Sequence, residues 1–381
     1  MPYCDHNATA PLRPEAREAV ARALALTGNP SSVHAGGRAA RALVEEARQA
    51  VADLMQAKPD SVIFTSGATE ANALALWGAI EAAMAAGRPI TRLLVSAIEH
   101  KSVLKTAEAI AGRVAEIRLE FLPVTSNGVV DVKALGTSLR GEGRALVAVM
   151  AANNETGVIQ PVAEISRLCR EADTLLLVDA VTAAGKIPLD AGLCDYLTLS
   201  GHKLGAPQGV GALIIGDAAP LVAQLVGGGQ QKGLRAGTEN LSGIAGFGAA
   251  AKAVLSNEDE CTRVAAIRDG FEQALKQALP EVMILGANAA RLANTSNIAL
   301  PGFSAENMVI ALDLDGVMVS SGSSCSSGKI SPSHVLAAMG VNDLSSVRVS
   351  FGWNSIKDDA DAVVTSLVKF WQRARIPRAA A

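Results

Sequence analysis

Residues 174–203 read TLLLVDAVTAAGKIPLDAGLCDYLTLSGHK, and the apolar runs with polar ends in this stretch decide the fold. The first run, TLLLVD, ends at Asp179, and the second, YLTLSG, is followed by His202 and Lys203. Continuous apolar runs of this length are typical of strands that are buried on both faces of a parallel sheet. Asp179 and Lys203 lie 24 residues apart, the length of one strand–helix–strand crossing, which can place both at the same edge of the sheet.

Similar apolar runs and helical patterns alternate on both sides of this stretch. The runs are SVIFTSG, RLLVSA, ALVAVMAAN and GALIIG, and two amphipathic helices are indicated by PEAREAVARALAL and GGRAARALVEEARQAVADLM. This order predicts an α/β fold whose mostly parallel sheet is covered by helices on both faces. A helical stretch from about Asn257 to Leu279 precedes the strand candidates SNIALP and SVRVSF, which indicates a smaller α+β domain. We predict a large domain over residues 14–256 and a small domain formed by residues 1–13 and 257–381.

The composition argues against several classes of protein. Of the 381 residues, 49% are hydrophobic and 19% are charged, and the net charge of −3 gives no electrostatic reason to expect a nucleic acid or an acidic membrane as a partner. The five cysteines are scattered and lack C-x-x-C spacing, which argues against disulfides and against a metal site and favours a cytoplasmic setting. We expect no signal peptide in MPYCDHNATAP and no membrane-spanning segment.

Polar residues interrupt the apolar runs where five of the predicted strands end. They are Ser66–Thr69, Glu99–His100, Asn153–Glu155, Asp179 and Ser200–Lys203. Ligands of open α/β sheets bind beyond the carboxyl ends of the strands. The sequence therefore predicts that these five strand ends converge on one crevice.

Two of these residues suit a pyridoxal-type cofactor, although each also has an ordinary structural explanation. Lys203 follows an apolar strand, where desolvation lowers a lysine pKa and leaves a neutral amine able to form a Schiff base; the alternative is a surface lysine. The carboxylate of Asp179 needs a partner, which is either a protonated pyridine nitrogen or the amino end of a following helix.

Three further features remain open between a functional and a structural role. Ser66–Thr69 open a helix whose first N–H groups favour a phosphate, or they form an ordinary cap. His100 either stacks on a flat cofactor or is structural. Cys325 lies in VSSGSSCSSGKISPSH, a small and polar setting that favours a nucleophilic thiol over a packed one, the alternative being an incidental surface cysteine.

Together these segments resemble the NifS/IscS-type cysteine desulfurases, which belong to the class V aminotransferase superfamily of fold type I. The likeness runs nearly end to end. The matching segments are DHNATAPLRPEA, GNPSSVHAGGRAAR, FTSGATEANALAL, IEHKSV, NNETGVIQPV, LLLVDA, SGHKLGAPQGVGAL, RAGTENLSGIAGFG, SNIAL, SSGSSCSSG followed by PSHVL, and VRVSFG. The resemblance implies a large domain with a mostly parallel seven-stranded sheet and a smaller α+β domain that carries the cysteine loop.

The resemblance also implies pyridoxal 5′-phosphate as the cofactor. Lys203 would hold it through a Schiff base, Asp179 would pair with its ring nitrogen, and His100 would stack on its ring. Its phosphate would be bound by Ala68, Thr69, Ser200, His202 and, from the partner subunit of a homodimer, Thr238. Asn7, Asn154 and Arg348 are implied on the substrate side. Asn154 would also touch the cofactor, and the planar fork of Arg348 suits the substrate carboxylate.

Two positions depart from the pattern of the resembling family. Thr182 stands where a glutamine usually bonds to the phenolic oxygen of the cofactor, so this cofactor contact is in question. His6 stands where an asparagine is common, near the expected site. Neither departure touches Lys203, Asp179 or Cys325.

The implied reaction converts L-cysteine to L-alanine and leaves the sulfur as a persulfide on Cys325, for iron–sulfur cluster or other thio-cofactor synthesis. Lys203 would move the α-proton, and His100 is a candidate carrier for the proton of the substrate thiol. A sulfur-acceptor or iron–sulfur scaffold protein would then receive the sulfur. The alternatives are a selenocysteine lyase or another class V enzyme, such as a small-substrate aminotransferase, and a non-catalytic assembly scaffold.

Overall fold

The computed structural model describes residues 1–322 and 333–374. Its larger sheet has seven strands in the spatial order β1-β7-β6-β5-β4-β2-β3, and β7 alone runs antiparallel to its neighbours. The strands are β1 (Val62–Thr65), β2 (Ile90–Ser96), β3 (Arg118–Leu122), β4 (Arg144–Met150), β5 (Leu175–Asp179), β6 (Tyr196–Ser200) and β7 (Gly211–Ile215). The prediction of a mostly parallel seven-stranded sheet is therefore confirmed.

Helices cover both faces of this sheet. They are α1 (Pro14–Leu24), α2 (Ala35–Leu54), α3 (Ala68–Ala85), α4 (Lys101–Arg113), α5 (Val132–Ser138), α6 (Val162–Glu171) and α7 (Leu241–Leu255). Strand β5 is buried on both sides: Leu175 and Leu177 pack in a core cluster with residues of α3 and α4, whereas Leu176 and Val178 pack with α6. Burial on both faces explains why this strand is continuously apolar.

Helix α2 shows how the sequence specifies a helix on this surface. It buries Ala40, Val44, Ala47, Val51 and Leu54, which recur every three or four residues and so form one face. The small alanines let α7 approach closely, and a Cβ at Gly248 of α7 would lie 2.5 Å from the backbone of Ala47. The helix therefore packs on its neighbour through small side chains rather than large ones.

A smaller antiparallel sheet follows in the chain, with the order β10-β11-β9-β8. Its strands and helices are α8 (Glu260–Ala278), β8 (Met283–Ile284), β9 (Thr295–Ala299), α9 (Ala305–Leu314), β10 (Ser320–Ser321), α10 (His334–Ala338), β11 (Ser346–Ser350) and α11 (Lys357–Ala374). The amino-terminal segment joins this part, because Tyr3 bridges Met318 and Asp5 bridges Ser350. Cys4 is buried in the same core cluster as Phe271 and Phe351.

Two local predictions were wrong. The crossing between β5 and β6 was expected to be helical, but it consists of turns and one short 3-10 turn, Ala191–Leu193. The two strands pair directly with each other in parallel. Gly185, at φ +70°, and Pro188 both interrupt a helix in this crossing. Strand β3 was missed, because it lies at the sheet edge, where Phe121 is exposed and the apolar run is broken by charges.

No helix in the described ranges is both long and apolar enough to cross a bilayer.

Candidate active site

A cavity of about 640 Å³ lies beyond the carboxyl ends of the parallel strands. Most of the residues singled out in the sequence line it: Asn7, Ala68, Thr69, His100, Asn154, Asp179, Thr182, Ser200, His202, Lys203 and Arg348. Thr238 does not line it and is exposed. Cys325 lies outside the described residues.

Lys203 ends the short 3-10 turn that directly follows β6. Its Nζ donates to the backbone carbonyls of Asn7, at 2.5 Å, and Ala8, at 2.7 Å. Both acceptors come from the amino-terminal segment, which therefore forms part of the cavity wall. The amine is thus held at the cavity by groups that accept from it without neutralising its charge.

Asp179 is the last residue of β5 and is only 5% exposed. Its Oδ1 accepts from the N–H of Val181, at 3.0 Å, and its Oδ2 accepts from Nδ2 of Asn72, at 3.0 Å. Both of these donors are neutral, and no ion pair of Asp179 is found among the described residues, so the desolvation of the buried carboxylate is not offset there by a paired cation. A protonated ring nitrogen in the cavity would supply that charge.

Asn72 was not identified from the sequence, although it is fully buried beside the cavity. Its Nδ2 donates to Asp179 and, at 3.0 Å, to Oγ of Ser102, while its Oδ1 accepts from Oγ1 of Thr198, at 2.8 Å. The available signal was a single amide within the otherwise apolar helix segment ANALALWGAI. Asn72 therefore links helix α3 to strands β5 and β6 and to helix α4.

His100 caps the amino end of α4. Its Nδ1 accepts from the backbone N–H of Ser102, at 3.1 Å, and lies 2.8 Å from Oγ of the same serine. Burial is the main cause that lowers the pKa of His100, and it outweighs the opposite effect of the nearby Asp179. The structure thus gives His100 both a structural role, as a cap, and a place in the cavity wall.

Glu99 precedes His100 and is fully buried, which the sequence did not reveal. Its Oε1 accepts from the N–H of Met150, at 2.7 Å, whereas its Oε2 has no partner among the described residues. Burial, followed by the negative charge of Asp179, raises the pKa of Glu99 well above its ordinary value. Glu99 is therefore held as a neutral acid directly behind His100.

The amino end of α3 offers an anion site at the cavity. The cap residue Gly67 has no side chain to accept a hydrogen bond, and none of the described side chains caps the first N–H groups of α3. Glu70 does not fill the position, because it is paired with Arg235, at 2.8 Å. Ser200 and His202 reach the same cavity from the end of β6. A phosphate fits these donors.

Arg348 lies on β11 at the other side of the cavity and is almost fully buried. Its Nη2 forms an ion pair with Asp5, at 2.9 Å, and its Nη1 donates to the backbone carbonyl of Asn154, at 3.0 Å. Its Nε has no partner in the described part of the chain. Two anchors therefore fix the guanidinium plane. The pairing with Asp5 was not expected from the sequence.

Asn7 is held by a second network of amide and hydroxyl groups. Its Nδ2 donates to Oγ1 of Thr295, at 2.8 Å, and its Oδ1 accepts from Nδ2 of Asn294, at 2.9 Å. Since the carbonyl of Asn7 also accepts from Lys203, this network ties the lysine to the smaller sheet. Asn294 and Thr295 were not identified from the sequence.

The two residues that depart from the pattern of the resembling family differ in their position relative to the cavity. The side chain of Thr182 lines the cavity, and no hydrogen bond of its hydroxyl is found within the described ranges. His6 does not line the cavity; it packs edge-on against Tyr3, with a centroid distance of 5.4 Å. Burial, together with the charges of Lys186 and Arg13, lowers the pKa of His6 to about 4. His6 is therefore a neutral packing residue.

The four cysteines within the described ranges do not suit a nucleophile. Burial is the main cause that raises the pKa of each of these thiols. They are Cys4, Cys169, Cys194 and Cys261. A thiol held protonated is a poor nucleophile, so none of the four competes with Cys325 for that role.

Comparison with known proteins gives the context for this cavity. The family model described as Aminotransferase class-V matches residues 2–363. The "IscS-like cysteine desulfurase" of Mycobacterium tuberculosis is 37% identical over 383 aligned residues, which cover 98% of this chain and 97% of the relative. The "Cysteine desulfurase" of Cereibacter sphaeroides is 40% identical and covers 89% and 87% of the two chains.

Solved structures show the same architecture. The NifS-like protein from Rickettsia africae superposes with a TM-score of 0.86 at 32% identity, covering 98% of this chain and 99% of the other. A further "NIFS-LIKE PROTEIN" superposes with a TM-score of 0.89 at 30% identity, covering 97% and 99%.

Proposed function

The chain belongs to the class-V aminotransferase family and is a pyridoxal-phosphate-dependent cysteine desulfurase, and from this premise we propose that Lys203, Asp179, His100 and Cys325 carry out its reaction. The observation that supports the first three is their common position in one cavity, beyond the ends of β6, β5 and β2. Cys325 is proposed from the sequence and because the pKa of each of the four cysteines in the described ranges is raised.

The residues of the cavity fit the cofactor of this family. Within the described part of the chain, Asp179 is a buried carboxylate whose hydrogen-bond donors are neutral, Lys203 offers an amine, and the first N–H groups of α3 receive no hydrogen-bond acceptor from the cap side chain. When bound, pyridoxal phosphate supplies an electron sink that stabilises negative charge at the substrate α-carbon. We propose that Asp179 pairs with its ring nitrogen and that His100 packs on its ring.

Phosphate binding is proposed for Ala68, Thr69, Ser200 and His202, together with Thr238 of the partner subunit. Burial and the charge of Lys203 lower the pKa of His202 to about 4, so its ring is a neutral hydrogen-bonding group. Its Nδ1 lies 3.1 Å from Oγ1 of Thr9. The exposure of Thr238 leaves it accessible to a second subunit, which supports the proposed homodimer.

Lys203 is proposed to move the α-proton of the substrate. In its free form the amine accepts that proton at Nζ, and the carbonyls of Asn7 and Ala8 then stabilise the resulting ammonium. Because both acceptors are backbone atoms, the position of the ammonium is well defined. Lys203 can then return the proton at the same face of the substrate.

Arg348 is proposed to bind the substrate carboxylate, with Asn7 and Asn154 beside it. Asp5 and the carbonyl of Asn154 fix the guanidinium plane before substrate arrives, so little orientation has to be gained on binding. Thr182 is proposed to contact the cofactor from the opposite wall, with a hydroxyl in place of an amide.

Sulfur transfer is proposed to occur by attack of the Cys325 thiolate on the substrate sulfur. The new sulfur–sulfur bond forms as the carbon–sulfur bond breaks, and the electron pair of the broken bond stays with the carbon skeleton. That skeleton takes up protons and leaves as alanine. The proposed next step is transfer to a sulfur-acceptor or iron–sulfur scaffold protein in the cytoplasm, for iron–sulfur clusters or another thio-cofactor.

The division into two domains is likewise proposed, with residues 14–256 in the large domain and residues 1–13 and 257–381 in the small one. It is supported by the two bridges that join Tyr3 and Asp5 to the second part of the chain. Cys325 would then belong to the small domain and Lys203 to the large one.

The test compares Cys325→Ser with the parent enzyme, with alanine and sulfide measured separately. We expect Cys325→Ser to keep the absorbance of the bound cofactor and to lose persulfide and sulfide formation from cysteine. Normal sulfide release by this variant would refute the nucleophile assignment. Cys261→Ser is the matched control and should behave as the parent, because the Cys261 thiol lies outside the cavity and donates to the backbone carbonyls of Gly185 and Lys186.

A second variant and a second substrate complete the test. Lys203→Ala should no longer yield a borohydride-reducible bond to the cofactor, and retention of that bond would refute its role. Selenocysteine assayed beside cysteine separates the proposed activity from that of a selenocysteine lyase. An enzyme that released selenide but no sulfide would overturn the proposed substrate.

A further inference from the structure

A continuous chain of hydrogen bonds links His100 to Asp179 through Ser102, which lines the cavity, and Asn72, which is fully buried beside it. Nδ1 of His100 lies 2.8 Å from Oγ of Ser102, Oγ of Ser102 lies 3.0 Å from Nδ2 of Asn72, and the same Nδ2 lies 3.0 Å from Oδ2 of Asp179. The chain begins on α4, crosses α3 and ends on β5. It joins the two groups that flank the proposed ring position.

The direction of each hydrogen bond follows from what the groups can do. The carboxylate of Asp179 only accepts, so Asn72 must present its NH₂ group to it and its carbonyl oxygen to Thr198. That NH₂ group has two hydrogens and gives the second to Oγ of Ser102. The hydroxyl hydrogen of Ser102 is then free to point at Nδ1 of His100.

The backbone supplies an independent constraint on the same ring nitrogen. The N–H of Ser102 also donates to Nδ1 of His100, at 3.1 Å, and a backbone N–H never accepts. Nδ1 therefore carries a lone pair and faces two donors. A neutral imidazole has one ring hydrogen, which must then lie on Nε2. Protonation of Nδ1 would replace the hydrogen bond from the backbone N–H with a donor–donor contact and would reverse the hydrogen bond with Oγ of Ser102, so the cap disfavours the imidazolium form.

The groups around His100 agree with a neutral ring. Lys101 on the same helix, Lys203 after β6 and His334 on α10 all oppose a positive charge there, and Asp179 on β5 is the group that favours it. Burial is the largest cause and also opposes the positive charge, so the pKa of His100 is lowered overall. Since Nδ1 is engaged on its own helix, Nε2 is the ring nitrogen left for a ligand.

We infer that Asn72 and Ser102 are positioning residues that hold His100 as a neutral imidazole with its hydrogen on Nε2, so that His100 donates a hydrogen bond to the substrate and does not remove the proton of the thiol. This inference rests on the proposed function. It differs from the expectation from the sequence, in which His100 is a candidate carrier for the proton of the substrate thiol.

The sulfur-transfer step balances without a base at His100. The Cys325 thiolate attacks the sulfur of the bound thiol, and that sulfur keeps its hydrogen. The carbon–sulfur bond breaks, its electron pair remains with the carbon skeleton, and the product on the enzyme is a persulfide that ends in S–H. The Nε2–H of His100 can donate to the sulfur or to another lone pair of the substrate throughout.

The direct test is the position of the ring hydrogen. Holoenzyme with ¹⁵N-labelled histidine is studied by long-range ¹H–¹⁵N correlation, without cysteine, and the signals of His100 among the five histidines are identified by their loss in His100→Gln. We expect a protonated Nε2 and an unprotonated Nδ1 at neutral pH. A hydrogen on Nδ1, or a doubly protonated ring, would overturn the inference.

Ser102→Ala removes one of the two donors to Nδ1 and keeps the backbone N–H. We expect the His100 titration to move up in pH and alanine formation from cysteine to fall roughly three- to tenfold, the effect of one lost hydrogen bond. Thr106→Ala is the matched control: its hydroxyl donates to the carbonyl of Ser102, at 2.7 Å, one turn further along α4, and its loss should leave the His100 signals in place. An unchanged His100 titration in Ser102→Ala would count against the inference.

Asn72→Ala tests the far end of the chain. We expect weaker retention of the cofactor and a rise in the His100 titration like that of Ser102→Ala; normal cofactor retention with an unshifted titration would count against coupling through Asn72. If this variant does not fold, Ser102→Ala still decides the question. Absence of alanine formation by the parent enzyme would refute the proposed function alone, since the ring hydrogen is measured without substrate.

Discussion

Replacement of Glu99 by glutamine should stabilise the protein at neutral pH. The Glu99 carboxyl is fully buried, it receives one hydrogen bond, from the N–H of Met150, and it lies near the charge of Asp179. Burial, followed by the charge of Asp179, raises its pKa and outweighs the opposite effect of the hydrogen bond from Met150, so the folded protein holds a proton that the unfolded chain releases above pH about 4.3. Stability therefore falls as the pH rises above that value. Glutamine has nearly the same shape and no proton to hold.

The size of the effect follows from linkage. Each pH unit over which the folded protein holds this proton and the unfolded chain does not costs about 1.4 kcal/mol. The advantage of Glu99→Gln over the parent should therefore grow by about 1.4 kcal/mol for each pH unit above pH about 4.3, for as long as the folded protein holds the proton. The glutamine can still accept from Met150 through its Oε1, so that contact is kept.

The assay is urea denaturation of the cofactor-loaded protein at several pH values, with the parent and the variant side by side. Glu164→Gln is the matched control, because Glu164 is exposed on α6 and should change the unfolding free energy little at any pH. A difference between Glu99→Gln and the parent that does not grow from pH 5 to pH 7 would refute the reasoning, as it would mean that Glu99 is ionised in the folded state. Glu99→Ala should destabilise the protein at every pH, since it leaves the Met150 N–H without an acceptor.

Two further substitutions probe the substrate side and the segment next to Cys325. Arg348→Lys should lower kcat/KM for cysteine at least tenfold, mainly by raising KM, because one ammonium cannot replace the planar guanidinium that Asp5 and Asn154 fix. Steady-state kinetics measures this effect, with the cofactor absorbance as the control. An unchanged KM would mean that the substrate carboxylate binds elsewhere. Gly322→Ala should lower both the midpoint temperature of unfolding and the rate of alanine formation, because a Cβ at residue 322 would lie 2.6 Å from Oε2 of Glu155. A variant as stable and as active as the parent would contradict this prediction.

The sequence predicted the residues at the strand ends and not the residues behind them. Asp179 and Lys203 could be found because a polar group that interrupts a buried apolar run has few structural explanations, and strand ends share one edge. Asn72 and Asp5 could not be found in this way. Their contacts with Asp179 and Arg348 join residues 107 and 343 positions apart, which only the packing of helix on sheet and of chain end on second sheet brings together.

The errors in the fold have local causes of the same kind. Strand β3 is exposed at an edge and alternates charged with apolar residues, so its run did not stand out. The crossing from Asp179 to Lys203 has the length of a helical connection but contains Gly185 and Pro188. The outcome for the site was unaffected, because parallel pairing of β5 and β6 puts both residues at the same edge whatever form the crossing takes.

The hydrogen bonds of the buried polar groups around the cavity limit the number of charges there. Three titratable side chains, those of Glu99, His100 and Asp179, lie close together in a region where each charge is costly. Glu99 receives one hydrogen bond and stays neutral, and His100 faces two donors at Nδ1 and stays neutral. Asp179 accepts hydrogen bonds from the N–H of Val181 and from Nδ2 of Asn72. Asp179 is thus the acid that we propose to meet the ring nitrogen of the cofactor. Because Asn72 donates to both Asp179 and Ser102, loss of this one amide should weaken the charge and the neutral histidine together, an effect that two independent sites would not show.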